Sequence, residues 1–327
     1  MRSHLSAQLW QIATGHLLPR CLHLVAELGV ADHLGDAPAT AEELATATRV
    51  SADALDRMLR LLATVGVFEA RGNRWAHTDV SRFMRTDHPQ SMRPYARMIG
   101  SPLFWAAAGE LGYAAETGKA AVEKLNPGGI WPYLRDHPGE ADIFDAAMTA
   151  RSNSDIAALI PAFDFSHYGV VADLGGGRGR MLSAVLAAAP NVKGILFDRA
   201  PVVAGVAPTS RMSVQGGDFL QDPLPTADAY ILSRVLHDWT DEEVGAILRA
   251  VRHHAPRHAE LLVLESILPD SSEPHHAKVL DILMLIITGG RERTEHEYRR
   301  LLEAAGFRLD RVVSTAGPVS IIVGVPA

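Results

Sequence analysis

An α/β fold, with a largely parallel sheet, an antiparallel terminal strand and a mostly helical segment ahead of it, is what this sequence predicts. Three observations carry that expectation. From about residue 166 onward, short apolar runs alternate with helical text, the pattern of a parallel sheet covered by helices on both faces. The first of those runs leads directly into a glycine-rich loop, Gly175-Gly176-Gly177-Arg178-Gly179. Upstream, two helical periodicities close with a hairpin. At 327 residues the chain exceeds what one average core organises, so two domains are expected, 1–96 and 97–327.

Composition narrows the classes. Hydrophobic content of 47% and charged content of 21% are ordinary for a globular protein. A net charge of -7 lacks the electrostatic footprint of nucleic-acid or membrane-surface binding. Cys21 is the single cysteine, which excludes an intrachain disulfide and fits a reducing cytoplasm. Polar residues interrupt Leu5, Leu9, Ile12, Leu17 and Leu18, so no signal-peptide core or bilayer-spanning run is expected there.

In chain order, Leu22, Val25, Ala26, Leu28 and Val30 suit a buried helix ending near Gly29. Thr40 with Glu43 has capping-box spacing. Ser51 opens a second helix with Leu55, Met58, Leu59, Leu61 and Leu62 on its apolar side. Val67 to Ala70, the turn Arg71-Gly72-Asn73, and Arg74 to His77 read as a hairpin, which completes a winged-helix unit. Arg57 and Arg60 are the only basic residues on its would-be recognition helix, among Glu42, Glu43, Asp53 and Asp56. That balance favours a dimerisation unit over a DNA reader. Segment 97–165 is helical again. Its Trp105, Trp131, Tyr133, Phe144 and Met148 read either as core or as the apolar wall of a small-molecule pocket.

Strands are expected at Val170 to Leu174, Gly194 to Asp198, Ala229 to Ser233 and Leu261 to Glu265, and an antiparallel edge pair at Phe307 to Ser314 and Val319 to Val325. Strand, glycine turn and helix together describe the nucleotide crevice of an α/β sheet. The dinucleotide fingerprint fails in both registers, because Arg180 and Leu182 stand where its third glycine belongs. The loop also lacks the Gly-Lys-Ser/Thr ending of a phosphate loop. A cofactor without phosphates is favoured. Asp198, at the end of the second strand, is suited to accept hydrogen bonds from ribose hydroxyls, or reads as a solvated loop acid. Asp218 and Phe219, after the third strand, suit an adenine amino group and its ring.

Taken with Ser233-Arg234-Val235-Leu236-His237-Asp238-Trp239 and Gly289-Gly290-Arg291-Glu292-Arg293-Thr294, these motifs make the chain resemble the plant and bacterial small-molecule O-methyltransferases, the metal-independent group with an N-terminal winged-helix dimerisation domain. The resemblance covers nearly the whole chain. It implies a Rossmann-like methyltransferase sheet, with 97–165 as a helical substrate-binding segment of the second domain. It implies S-adenosylmethionine as methyl donor, S-adenosylhomocysteine as product, no metal, a homodimer through the N-terminal domain, and a small, aromatic, secondary-metabolite-like acceptor. Gly175, Gly177, Asp198, Asp218, Phe219 and Ser233 then belong to the cofactor site. Arg199-Ala200 stands where the family usually has Leu-Pro, and Arg178 where it commonly has Thr. Both departures add positive charge near a cationic cofactor.

His237 lies just beyond a strand on the ligand edge of the sheet, ahead of the capping pair Thr240 and Glu243. A hydroxyl is a poor nucleophile at neutral pH, and an imidazole near its operating pH is suited to remove its proton. The resemblance puts Glu265 and Glu292 beside that base as its two acids. It puts Leu283 and Met284 at the acceptor wall, and Trp105, Met148 and Asp238 are expected as further acceptor contacts. The remaining histidines, including His253, His254, His258, His275 and His276, read as solvated, with no metal-ligand spacing. Two other functions stay open. One keeps fold and cofactor for a non-methylating reaction, such as hydroxylation, decarboxylation or cyclisation. The other is a winged-helix DNA-binding metabolite sensor, which requires salt-dependent duplex binding through Arg57 and Arg60.

Overall fold

The computed structural model describes residues 2–327, with side chains from residue 5. The chain forms two compact units, one of residues up to 106 with 131–151, the other of 107–130 with 152–327.

In the first unit, β1 (Ala39–Thr40), β2 (Phe68–Arg71) and β3 (Arg74–His77) form a small antiparallel sheet in the order β1-β3-β2. The two-residue β1, pairing with Trp75 and Arg74, is too short to announce itself by alternation. Helix Ala41–Thr48 starts at the capping box of Thr40 and Glu43. Helix Ala52–Ala63 starts at Ser51 and buries Leu55, Leu59 and Leu62 along one stripe. These leucines pack with Val25, Val30, Leu44, Phe68 and Trp75. The Trp75 indole donates to Asp56 at 2.9 Å and so ties the hairpin to the helix. Arg57 pairs with Asp53 and Arg60 with Asp56, which offsets the basic charge of that helix.

The second unit holds β4 (Val170–Leu174), β5 (Lys193–Asp198), β6 (Met212–Gly216), β7 (Ala229–Ser233), β8 (Glu260–Glu265), β9 (Phe307–Val313) and β10 (Ser320–Pro326). Their order is β6-β5-β4-β7-β8-β10-β9. β6 through β8 run parallel, while β10 lies antiparallel between β8 and β9. The central strands read as continuous apolar runs because both faces are covered. Tyr230, Leu232, Leu261 and Val263 enter one core, whereas Ala229, Ile231, Leu262 and Leu264 enter the other. The chain steps outward from β4 to β6, then returns to β7 on the other side of β4. That reversal opens a crevice at the carboxyl ends of β4 and β7, where α/β sheets bind ligands. Among the described residues no helix is long and apolar enough to cross a membrane.

Leu262, fully buried in β8, tests the central packing: Leu262→Ala is expected to cost about 2–5 kcal/mol, read as a lower urea midpoint at unchanged slope.

Candidate active site

β7 ends at Ser233, and the next residue, Arg234, takes a left-handed backbone with φ of 56°, uncommon for a residue with a side chain. This bend throws Leu236–Asp238 into a short 3-10 turn. The Thr240–Glu243 capping box then starts helix Asp241–His254. His237 sits in the turn with 6% exposure. Its Nδ1 is 2.7 Å from Oε1 of Glu292 and 3.5 Å from Oε2 of Glu265, while Nε2 lies 3.9 Å from Asp238. Glu265, the last residue of β8, accepts the backbone N–H of His237 at 3.3 Å. Both glutamates are fully buried. A carboxylate on Nδ1 selects the tautomer with its proton there and leaves Nε2 as the basic nitrogen. Burial pushes the Glu265 carboxyl up, with His237 opposing and Glu292 adding to the shift.

The loop from Gly289 wraps this turn. Gly290 has no alternative, since a Cβ would overlap the carbonyl oxygen of His237. The Arg291 N–H donates to that oxygen at 2.9 Å. Arg293, whose side chain is wholly buried, donates to Leu236 O at 2.9 Å, to Trp239 O at 2.8 Å and to Asp241 at 2.9 Å. Two carbonyls flanking the histidine are thus held by one guanidinium. Arg234 forms a two-pronged ion pair with buried Asp155, at 2.9 and 3.2 Å. Sequence reasoning passed over Arg293 and Asp155. Arg293 stood inside a quoted motif with no role assigned, and nothing local marks Asp155.

His237, Glu265 and Glu292 offer three donor atoms within 4.8 Å of one another, a set able to hold a cation in principle. The 2.7 Å Nδ1–Oε1 distance is that of a direct hydrogen bond. An ion about 2.0–2.2 Å from each atom would hold them further apart. The trio is wired as an imidazole with acid partners.

The cofactor residues gather at the crevice. Gly175, at φ of 72°, hydrogen-bonds through its N–H to Phe197 O at 2.8 Å, and a Cβ there would strike Val235 with Phe219 just behind. Gly177, also left-handed, presents its Cα to open space with no atom within 4 Å of a built Cβ. Its N–H donates to Asp198 at 2.8 Å, and Arg199 N–H to the other carboxyl oxygen at 2.7 Å. Asp218 accepts from Leu220 N–H at 2.9 Å, and Phe219 meets Trp239 edge-on at 5.8 Å. Ser233 is half-buried at the end of β7. Asp173, quoted in the loop motif but given no role, is fully buried, and neither carboxyl oxygen makes a well-formed hydrogen bond. Burial pushes it up to about 7, against a smaller pull from the Leu182 amide and with a further push from Asp198. An orphaned buried acid beside a bare glycine turn suits a cationic ligand, and S-adenosylmethionine fits that demand.

Leu283 and Met284 lie on helix His276–Ile287, Met284 buried and Leu283 half-buried. Trp105 and Met148 belong to the first unit. There Trp105 meets His23 edge-on at 5.5 Å and carries the Arg20 guanidinium over its ring. Met148 is half-buried on helix Pro138–Leu159. Four histidines read as solvated have partners: His258 binds Asp228 at 2.8 Å, His276 reaches buried Ser266 at 3.0 Å, His254 meets Ala250 O at 2.9 Å, and His275 caps its helix.

Comparison with known proteins agrees with this geometry. A model of the O-methyltransferase domain matches residues 110–308, and one of the O-methyltransferase dimerisation domain matches residues 10–87. Phenazine O-methyltransferase PhzM of Lysobacter antibioticus is 39% identical across 97% of this chain and 95% of its own. The S-adenosylhomocysteine-bound structure of CalO1, a methyltransferase in calicheamicin biosynthesis, superposes with a TM-score of 0.88 at 38% identity, covering 100% of this chain and 99% of that one. An 8-amino-8-demethylriboflavin N,N-dimethyltransferase of Streptomyces davaonensis is 35% identical over 88% of this chain and 85% of its own.

Two outcomes follow from the site. Gly290→Ala is expected to displace the histidine turn and lower turnover about 10²-fold, measured as kcat alongside a thermal melt. With burial raising its carboxyl to about 7, Asp173 gains its charge through that range, so affinity for the cationic S-adenosylmethionine should rise as pH climbs through it. Calorimetric titration of Asp173→Asn should show the dependence flattened.

Proposed function

The chain belongs to the S-adenosylmethionine-dependent small-molecule O-methyltransferase family, and we propose that it methylates a hydroxyl of an aromatic secondary metabolite, with His237 as general base. One observation carries the reading: a buried imidazole whose Nδ1 is held by a carboxylate at 2.7 Å, leaving Nε2 for an acceptor. When bound, S-adenosylmethionine supplies an electrophilic methyl group on a positively charged sulfur and leaves as S-adenosylhomocysteine.

This chain's residues do the rest. Gly175 and Gly177 let the backbone approach the donor without a Cβ between. Asp198 and Asp218 offer carboxylates for its hydroxyl and amino groups, Phe219 a ring for its base, and Ser233 a hydroxyl at the strand end. Leu283 and Met284 supply apolar surface for the acceptor, and Asp238 a polar contact on the Nε2 side. When the acceptor oxygen takes the methyl group, its hydroxyl proton would pass to Nε2 of His237. Glu292 stabilises the imidazolium that results, and Glu265 fixes the backbone of the turn. Base catalysis of this kind contributes about 10²–10⁴-fold. In-line positioning adds more.

Residues 10–87, matched by the dimerisation model, are proposed to join two copies. Leu9, Trp10, Ile12, Leu17 and Leu24 are large, apolar and exposed, which marks an interaction surface.

His237→Asn is expected to cut S-adenosylhomocysteine formation on a phenolic acceptor by about 10²–10⁴-fold, with S-adenosylhomocysteine affinity nearly intact. An aromatic amine of the same skeleton turned over as well as the phenol, and indifferent to His237→Asn, would sink the hydroxyl-and-base reading. Sedimentation should give a dimer, converted to monomer by Trp10→Glu with Leu9→Glu.

A further inference from the structure

Two fully buried carboxyl groups beside one imidazole raise a question of charge that the base reading leaves open. They are not equivalent. Oε1 of Glu292 is 2.7 Å from Nδ1 of His237. Glu265 brings Oε2 only to 3.5 Å, beyond a hydrogen bond, and its Oε1 takes the backbone N–H of His237 at 3.3 Å. Oε2 of each glutamate makes no hydrogen bond, so the two acids differ in their distance to Nδ1 and share the cost of an orphaned oxygen. A buried carboxylate oxygen left so is costly, whereas a neutral carboxylic acid bears it far better.

Nearby cations are committed elsewhere. Arg234 is engaged two-pronged by Asp155. Arg293 spends its N–H groups on Leu236 O, Trp239 O and Asp241. Asp281, which accepts the Glu292 N–H at 2.9 Å, Asp238, 3.9 Å from Nε2 of His237, and the fully buried phenol of Tyr298 also stand around the pair. Arg234 acts on both glutamates through space, but Asp155 matches its charge first.

We propose that Glu265 and Glu292 together hold one proton in the resting site, that it resides on Glu265, and that Glu292 alone is the anion facing His237. The inference rests on His237 being the base. One charge keeps Nε2 free and still steadies the imidazolium formed during transfer. The direction in which burial moves the Glu265 carboxyl agrees. Glu265 is on this account a positioning residue, and its proton stays on it through the methyl transfer.

Infrared spectroscopy of the full chain, grown with glutamate carrying carbon-13 in its side-chain carboxyl, tests this directly. The label separates glutamate from Asp173, the other buried acid held up by its surroundings. Expected at neutral pH is a label-sensitive carbonyl band of a protonated acid, absent from Glu265→Gln. In parallel, kcat should fall at least roughly tenfold further in Glu292→Gln than in Glu265→Gln. No label-sensitive acid band in the wild type, a band that survives in Glu265→Gln, or a reversed order of the two losses would overturn the proposal. If Glu265→Gln does not fold, the wild-type band decides alone. His237→Asn assayed alongside separates the two readings: undiminished turnover there removes the base, while the infrared band still reports the proton.

Discussion

Everything at this site depends on one hydrogen bond, from Nδ1–H of His237 to a carboxylate that water does not reach. It selects the tautomer and aims the ring, and in the proposed mechanism it supplies the countercharge for a proton arriving at the far nitrogen. Such a bond is strong only while its partners are dry and fixed. The surrounding chain meets both conditions. β8 ends on Glu265, the Gly289–Thr294 loop delivers Glu292, and the buried Arg293 guanidinium holds the carbonyls of Leu236 and Trp239 on either side of the ring. Most of these contacts are side chain to backbone, so the turn is held by its main chain and the imidazole needs no packing of its own.

The cofactor crevice follows a different logic. Its residues come from the ends of adjacent strands and are brought together by topology, through the reversal of strand order at β4. Nothing there requires long-range recognition of one side chain by another. Asp198 receives the Gly177 and Arg199 amides from its own and the neighbouring loop, so the loop carries its own template.

That contrast explains what could be read from residues alone. β7 begins and ends where its apolar run does, and all three Thr/Glu capping boxes form, because periodicity and caps are local signals. The glycine loop and Asp198 were legible for the same reason. Glu265 and Glu292 were legible only through resemblance, since 28 and 55 positions separate them from His237 and no spacing rule spans such gaps. Arg293 stood in its motif without a role. Only the tertiary wrap shows it buried, and only the tertiary fold brings Asp155 to Arg234. Asp173 sat in plain view within its motif, but its chemical interest comes from burial without a partner, which a linear pattern does not record.

Gly290 carries a consequence on a longer timescale. Its Cα lies so close to the histidine carbonyl that every other amino acid is sterically forbidden there, whatever molecule the enzyme is selected to modify. Descendants of this chain that acquire new acceptors must therefore change around that point, and the side chains proposed to face the acceptor, such as Leu283 and Met284, are free to do so. The backbone at the imidazole stays fixed while its surroundings vary.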